Sequence, residues 1–270
     1  MNRRLILAIA AILVLFVSIF LIIRKINIPL HMKGGKITSA AGLYTQAEDS
    51  LKKGDLESAK SFYQRLVSEF SNSNNMMNWQ KRLEEINIKL LFSPRLTPKS
   101  VLYEIKPGDT LIKIAKEFKT TPELIGRSNN LKDNRIIPGR KVKVWTAPFS
   151  ILVYKSQNIL ILKSGEEIIK TYVVSTGLNN GTPVGSFKIV NKLPNPTWFK
   201  AGAVVDASSP ENVLGTRWMG FDLPGYGIHG TIDPGNLGKQ VTQGCVRMAN
   251  PEVEELYTIV PVGTEVTIVN

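Results

Sequence analysis

The sequence holds one cysteine, Cys245, and two histidines, His31 and His229, in 270 residues. One thiol excludes an intrachain disulfide framework. One thiol and two distant imidazoles are too few ligands for a metal centre, so no metal is expected, and no cofactor either. Acidic residues are scarce where the chain begins: residues 1–100 carry 15 basic and 7 acidic side chains, residues 101–150 carry 10 and 5, and residues 151–270 carry 9 and 10. The formal net charge of +12 is therefore an N-terminal property. Six of those cations, Arg3, Arg4, Arg24, Lys25, Lys33 and Lys36, flank a single apolar segment with no acid among them. A membrane interface selects that placement. No basic stripe with interleaved aromatics tracks a nucleic-acid backbone, so nucleic acid is not an expected partner.

The apolar segment is residues 5–23, LILAIAAILVLFVSIFLII, uncharged and interrupted only by Ser18. At about 1.5 Å per residue it just spans a hydrocarbon core of about 30 Å. It ends Phe20-Leu21-Ile22-Ile23-Arg24-Lys25, without the small residues of a signal-peptidase site. The expectation is an uncleaved, single-pass anchor over residues 1–25, in the cell (inner) membrane, with the rest of the chain outside the cytoplasm. His31 falls beside that anchor. An unpaired thiol kept in an oxidising compartment then calls for a chemical reason.

Beyond the anchor the pattern divides into segments. Over residues 38–92 apolar positions recur every three or four residues, with Leu43, Ala47 and Leu51, then Leu56, Ala59, Phe62, Tyr63, Leu66 and Val67. Gly54-Asp55 reads as a helix stop followed by an N-cap, and a third helix runs from about Met76 to Leu91. The hairpin resembles one tetratricopeptide unit, a helical stalk or a docking site for a protein partner; one unit is too few for a solenoid. SPRLTPKS, residues 93–100, reads as an extended linker because of Pro94 and Pro98.

Residues 101–146 are patterned strand–helix–helix–strand. Asp109 is placed to cap a helix carrying Leu111, Ile114, Ala115 and Phe118, and Thr121-Pro122 starts a second helix. Pro138-Gly139 turns into an alternating strand bearing Val142 and Val144. Tyr103, Pro107-Gly108-Asp109-Thr110-Leu111, Ile114-Ala115, Asn129-Asn130 and Ile137-Pro138-Gly139 together resemble a LysM domain of βααβ fold. The resemblance implies binding to N-acetylglucosamine-containing glycan strands such as peptidoglycan, through loops holding Gly108, Asp109, Thr110, Leu111, Ile136, Ile137 and Pro138.

Residues 150–270 are rich in β-branched residues and broken by turn formers, with one helix starting at Asn250-Pro251 and a closing strand, TEVTIV. Its only imidazole, His229, precedes its only thiol by 16 residues, each in a glycine-rich stretch read as a loop. A free thiol is mostly protonated at neutral pH and needs a nearby base, while oriented N–H groups polarise the carbonyl it attacks. IHGT (residues 228–231), Gly238 and TQGCVRM (residues 242–248), with STGLNNGTPVGSFKI, LPNPTW and NVLGTRWMGF upstream, resemble the YkuD-type L,D-transpeptidase catalytic domain.

That resemblance implies a mostly-β, sandwich-like domain that crosslinks peptidoglycan stem peptides, with roles in cell-wall organisation and cell shape and sensitivity to carbapenems. Cys245 is then the nucleophile and His229 the general base and acid. Gly244 contributes a backbone oxyanion site, Arg247 orders the loop or balances the thiolate, and Thr231 and Thr242 complete the site. Two positions depart from the family pattern: Gln243 stands where a second histidine is common, and Val213 where proline is. Two alternatives stay open at this stage. The same domain acts as a hydrolase or attaches a protein or amine to peptidoglycan, or the chain is a non-catalytic wall-binding scaffold.

Overall fold

The computed structural model describes residues 39–200 and 202–270. The apolar segment 5–23 and His31 lie outside the described residues; among those described, no helix is long and apolar enough to cross a membrane. Two compact units divide the chain after Asn87.

In the first unit, α1 (Ala40–Lys52) and α2 (Leu56–Glu69) form the expected hairpin. Asp55 caps α2 by accepting a hydrogen bond from the Ser58 N–H at 3.1 Å. Leu43 and Ala47 on one helix and Ala59, Tyr63 and Leu66 on the other are buried. The Tyr63 hydroxyl donates to the Glu48 carboxylate, and burial together with that carboxylate raises the phenol above its usual range. A third helix, α3 (Met76–Leu91), follows.

The second unit begins with the last turn of α3. Strands β1 (Ser100–Glu104) and β2 (Lys141–Trp145) pair antiparallel around α4 (Leu111–Phe118) and α5 (Pro122–Ser128), which gives the expected βααβ order. Thr110, not Asp109, caps α4, its hydroxyl accepting from the Lys113 N–H at 3.2 Å. Asp109 is drawn back into the preceding turn, where its carboxylate accepts from the Tyr103 hydroxyl at 2.9 Å and the Lys106 N–H at 2.8 Å.

This small domain does not stand apart from the rest. Ile125 of α5 belongs to its own core, but the neighbouring Leu124, with Leu91 and Trp145, joins the core of the β domain. Thr121 donates through its hydroxyl to the Thr258 carbonyl, and Lys99 reaches Glu167 and the Ser164 carbonyl, both at 2.7 Å. Nor does β2 alternate as its sequence suggests. Lys143 is 1% exposed, and its Nζ donates to the carbonyls of Leu90 at 2.7 Å, Leu91 at 3.3 Å and Ser93 at 2.8 Å. The last carbonyls of a helix lack partners within it, and here a strand lysine supplies the cap.

The β domain holds β3 (Phe149–Tyr154), β4 (Ile159–Ser164), β5 (Glu167–Val173), β6 (Thr176–Gly177), β7 (Gly185–Pro194), β8 (Trp198–Lys200), β9 (Ala203–Val205), β10 (Arg217–Phe221), β11 (Gly227–His229), β12 (Gln240–Thr242), β13 (Val246–Arg247) and β14 (Glu265–Val269). Eight of them form one ladder, ordered β13-β11-β10-β7-β14-β3-β4-β5, while β6 pairs with β12 and β8 with β9. The long strand β7 belongs to both halves: residues 185–188 pair with β14 and residues 189–194 with β10. Both halves contribute to one core, with Ile151, Leu160 and Ile169 from one and Met219, Ile228 and Val246 from the other. The two edges of the ladder meet in a single bridge, where the N–H groups of Ser175 and Arg247 donate to each other's carbonyls at 2.8 and 2.9 Å. Helix α6 (Asn250–Ile259) adds Val253, Leu256 and Ile259 to that core.

Lys143→Met keeps the aliphatic bulk but takes the lysine donor from the Leu91 and Ser93 carbonyls, while the Leu90 carbonyl still accepts from the Ser93 N–H at 3.3 Å and hydroxyl at 3.1 Å. Such a loss costs about 1–3 kcal/mol for each group left buried and unsatisfied, so the variant should lose at least about 2 kcal/mol of stability in urea unfolding. An unchanged midpoint would show the cap to be unimportant.

Candidate active site

Cys245 and His229 are brought together by strand register. Strands β11 and β13 run parallel, with Ile228 opposite Val246 and His229 opposite Arg247. Ile228 and Val246 are fully buried in the core. Side chains alternate along a strand, so His229 and Arg247 take the opposite face. Cys245, in the bend just before β13, has the same parity as Arg247 and lies beside Gly227, whose N–H faces its sulfur. His229 is two residues beyond Gly227 on the same face, a diagonal neighbour of the cysteine. The thiol itself donates to the Gly225 carbonyl at 3.5 Å.

His229 is thus the last residue of a strand, not a loop residue as its glycine-rich surroundings suggest, and it is 4% exposed. Its Nδ1 lies 2.7 Å from the Gly230 carbonyl. A carbonyl only accepts, so Nδ1 carries the hydrogen and Nε2 keeps the lone pair. Burial pulls the imidazole down to about 4, helped by the Arg247 charge; the Gly230 and Leu214 carbonyls oppose the shift but do not cancel it. Burial likewise pushes the Cys245 thiol up, against the Gly227 N–H and Arg247, which favour the thiolate. Both groups are neutral at rest. At rest, then, there is no preformed thiolate–imidazolium pair.

The remaining sequence-selected residues shape the surroundings of Cys245. Thr242 donates to the Cys245 carbonyl at 2.7 Å and accepts from the Gly244 N–H at 3.2 Å, closing the turn before the thiol. That bond occupies the N–H assigned to an oxyanion site, so Gly244 does not offer it to a substrate. What requires glycine at 244 is its φ of +127° and the Tyr226 ring, which lies 2.6 Å from where a Cβ would be. Thr231 braces the turn after His229: its hydroxyl accepts from the Asp233 N–H at 2.9 Å. Arg247 lies near enough to act electrostatically on both reactive groups, and its Nε is buried without a hydrogen-bond partner.

Sequence reasoning missed Asn250. Its Oδ1 accepts from the N–H groups of Thr216 at 3.2 Å and Thr231 at 3.0 Å, tying the turn just before β10 to the segment after His229. It also fills the space where a Cβ on Gly230 or Gly215 would sit. Nothing in MANPEV beyond a helix start marks that role. In the small domain, Leu111 is core and not a surface contact, at 2% exposure, and Ile136 packs partly against the same core. Thr110 is engaged as a cap and Asp109 in a turn, while Gly108, at φ +84°, makes that turn. Ile137 and Pro138 are exposed, as is Ile112, which the sequence did not single out.

A mostly-β domain with one imidazole and one thiol on the same sheet face, fused to a βααβ domain, defines an enzyme built on two modules. Residues 148–268 match the model of the L,D-transpeptidase catalytic domain, YkuD, and residues 103–145 match the LysM domain. Over 176 residues the chain is 35% identical to a Bacillus licheniformis protein named as the L,D-transpeptidase YkuD, spanning 62% of this chain and 98% of that one. Its namesake in Bacillus subtilis is 34% identical over 173 residues, spanning 62% and 97%. Bacillus subtilis YqjB, also named as an L,D-transpeptidase, is 40% identical over 124 residues, spanning 44% and 69%. The chain belongs to the L,D-transpeptidase family.

The buried imidazole makes stability depend on pH. An unfolded histidine titrates near 6.5 and folded His229 near 4, so between these values the unfolded chain binds more protons. The contribution of His229 is complete above about pH 6.5 and is lost as the pH falls toward about 4. Urea midpoints should decline over that window, and His229→Gln should flatten the decline. Parallel curves for the two proteins would refute the assignment.

Proposed function

We propose that this protein crosslinks peptidoglycan stem peptides through a thioester on Cys245. The observation that carries the reading is the register that sets a lone thiol and a neutral, dry imidazole on one sheet face. In the first half-reaction His229 takes the thiol proton as sulfur bonds to the carbonyl of the third stem residue. The bond to the terminal D-alanine breaks, and the proton passes from the imidazolium to the departing amine. In the second, an amine of another stem attacks the thioester and gives its proton to His229. The amide forms, and the sulfur leaves and recovers the proton. The Gly227 N–H and Arg247 stabilise the negative sulfur in both halves. No second imidazole is needed, consistent with Gln243.

The LysM domain supports a glycan-bound setting in which the enzyme works where stem peptides are concentrated. We infer from residues 5–23 and their basic flanks that the chain is anchored in the cell membrane with both domains outside the cytoplasm. Terminal sequencing of membrane-extracted protein should find the mature end at or near Met1; an end beyond Ile23 would make the segment a cleaved signal.

The reaction is tested with purified peptidoglycan and mass spectrometry of its digested fragments, and the thiol with a carbapenem, which should form a one-to-one adduct on Cys245. Cys245→Ser should abolish crosslinks and adduct alike. His229→Gln, which fills the buried site better than alanine, should slow acylation by about a hundredfold or more, the usual scale of a general base. Fragments trimmed of D-alanine but not joined would make the enzyme a hydrolase, and an unaffected His229→Gln would remove the histidine from the mechanism.

A further inference from the structure

Register continues outward from the reactive pair. Leu193 of β7 lies opposite Trp218 of β10, which lies opposite His229 of β11, which lies opposite Arg247 of β13. These four side chains form one row across four strands. The adjacent row on the same face is Asn191, Gly220 and Gly227, leading to Cys245. Neither glycine has room for a side chain. A Cβ on Gly220 would lie 2.8 Å from Trp218 Nε1 and 2.6 Å from Asn191 Oδ1, and one on Gly227 would lie 3.0 Å from Trp218 Cζ2.

The indole therefore lies down across both glycines, with its six-membered ring over Gly227, the residue whose N–H faces the thiol. Its Nε1 donates to Asn191 Oδ1 at 3.0 Å, and it stacks on the His229 ring with centroids 6.0 Å apart and planes 23° from parallel. Held from three sides, the ring is only half-buried, and the next residue in the row, Leu193, is 49% exposed. Of the cations on these strands, Arg217 donates to the Thr216 carbonyl and lies over Tyr257, and Lys192 donates to the Tyr257 and Val260 carbonyls, while Arg247 ends the row on the far side of His229. The open part of the row, from the indole to Leu193, is an apolar strip, a preorganised surface for aliphatic carbon.

We propose that Trp218, seated on Gly220 and Gly227 and held by Asn191, is a substrate-binding and specificity-determining residue of this site. It carries the methylene side chain of the residue whose carbonyl Cys245 attacks, and so sets that carbonyl against the sulfur. Strands lie roughly 5 Å apart, so a strip running from the indole to Leu193 accommodates an unbranched chain of three or four methylenes. Diaminopimelate and lysine have such chains; alanine does not. The inference rests on the transpeptidase reading above.

The test is the acylation half-reaction alone, followed by D-alanine release and by the mass of the adduct. Two tetrapeptides ending in D-alanine are compared, one with lysine or diaminopimelate in third place and one with alanine. Each protein's rate is normalised by its rate of alkylation with iodoacetamide, which reports the state of the thiol and His229 without needing a peptide site. Wild type should prefer the long side chain. Trp218→Ala should raise the half-saturating concentration of the long peptide by about tenfold, with a smaller change in maximal rate, and should lose most of the preference. Trp218→Phe should keep most of it, which guards against a variant that merely folds poorly. A preference intact in Trp218→Ala, or a loss that vanishes after normalisation, overturns the proposal, the latter because Trp218 would then act only through His229. If wild type releases D-alanine from neither peptide while iodoacetamide still modifies Cys245, the transpeptidase reading itself fails and takes this one with it.

Discussion

The parallel pairing of β11 with β13 is the constraint on which the site depends. Two short strands contribute only Ile228 and Val246 to the core, yet that anchoring decides which side chains face the substrate. A slip of one residue would send His229 into the core and Ile228 to the thiol, because side chains alternate with a period of two. So short a pair needs support, and the fold supplies it from outside. The Ser175–Arg247 bridge holds the far edge of β13, Asn250 clamps the chain on either side of the histidine, and the Thr242 hydroxyl closes the turn ahead of the cysteine. Each contact is backbone-directed, which suits a purpose of fixing where the chain runs.

The same arrangement sets the resting chemistry. Stacking of Trp218 and enclosure by the Gly230 and Leu214 segments keep water from His229, and loss of solvation is what holds the ring neutral. A neutral imidazole is a base available at physiological pH, and a protonated thiol is less exposed to oxidation than a thiolate. That accounts for a lone cysteine in a chain without a disulfide partner. Burial holds the thiol protonated, while the Gly227 N–H and the Arg247 charge beside it favour the thiolate.

Lysines do much of the internal joinery. Lys143 ends α3, Lys192 ends α6, and Lys155 draws in the carbonyls of Asn180 and Thr182 from the loop that passes behind Gly244. In each case an ammonium donates to main-chain carbonyls at a helix end or in a loop. Part of the positive charge counted from composition is therefore structural. Leu124 and Trp145 pack into the core of the β domain and Thr121 donates to the Thr258 carbonyl, so the LysM domain and the β domain fall within one compact unit.

The amino-acid sequence by itself determined the order of the LysM and catalytic domains and the helix starts at Asp55, Thr121 and Asn250, and it singled out Cys245 and His229 by their scarcity. These follow from local periodicity, capping chemistry and scarcity, all of which are written along the chain. It misplaced what depends on which of several partners a group takes in the folded chain. The cap of α4 went to Asp109 because a carboxylate is a good cap, but the Tyr103 hydroxyl competes for it. His229 read as a loop residue because glycines flank it, yet those glycines make room for Trp218 and Asn250. Gly244 looked like an oxyanion donor, whereas a threonine two residues earlier holds its N–H. The protonation of the reactive pair and the burial of Lys143 were decided only by tertiary structure, because solvation belongs to the packed molecule and not to any residue in it.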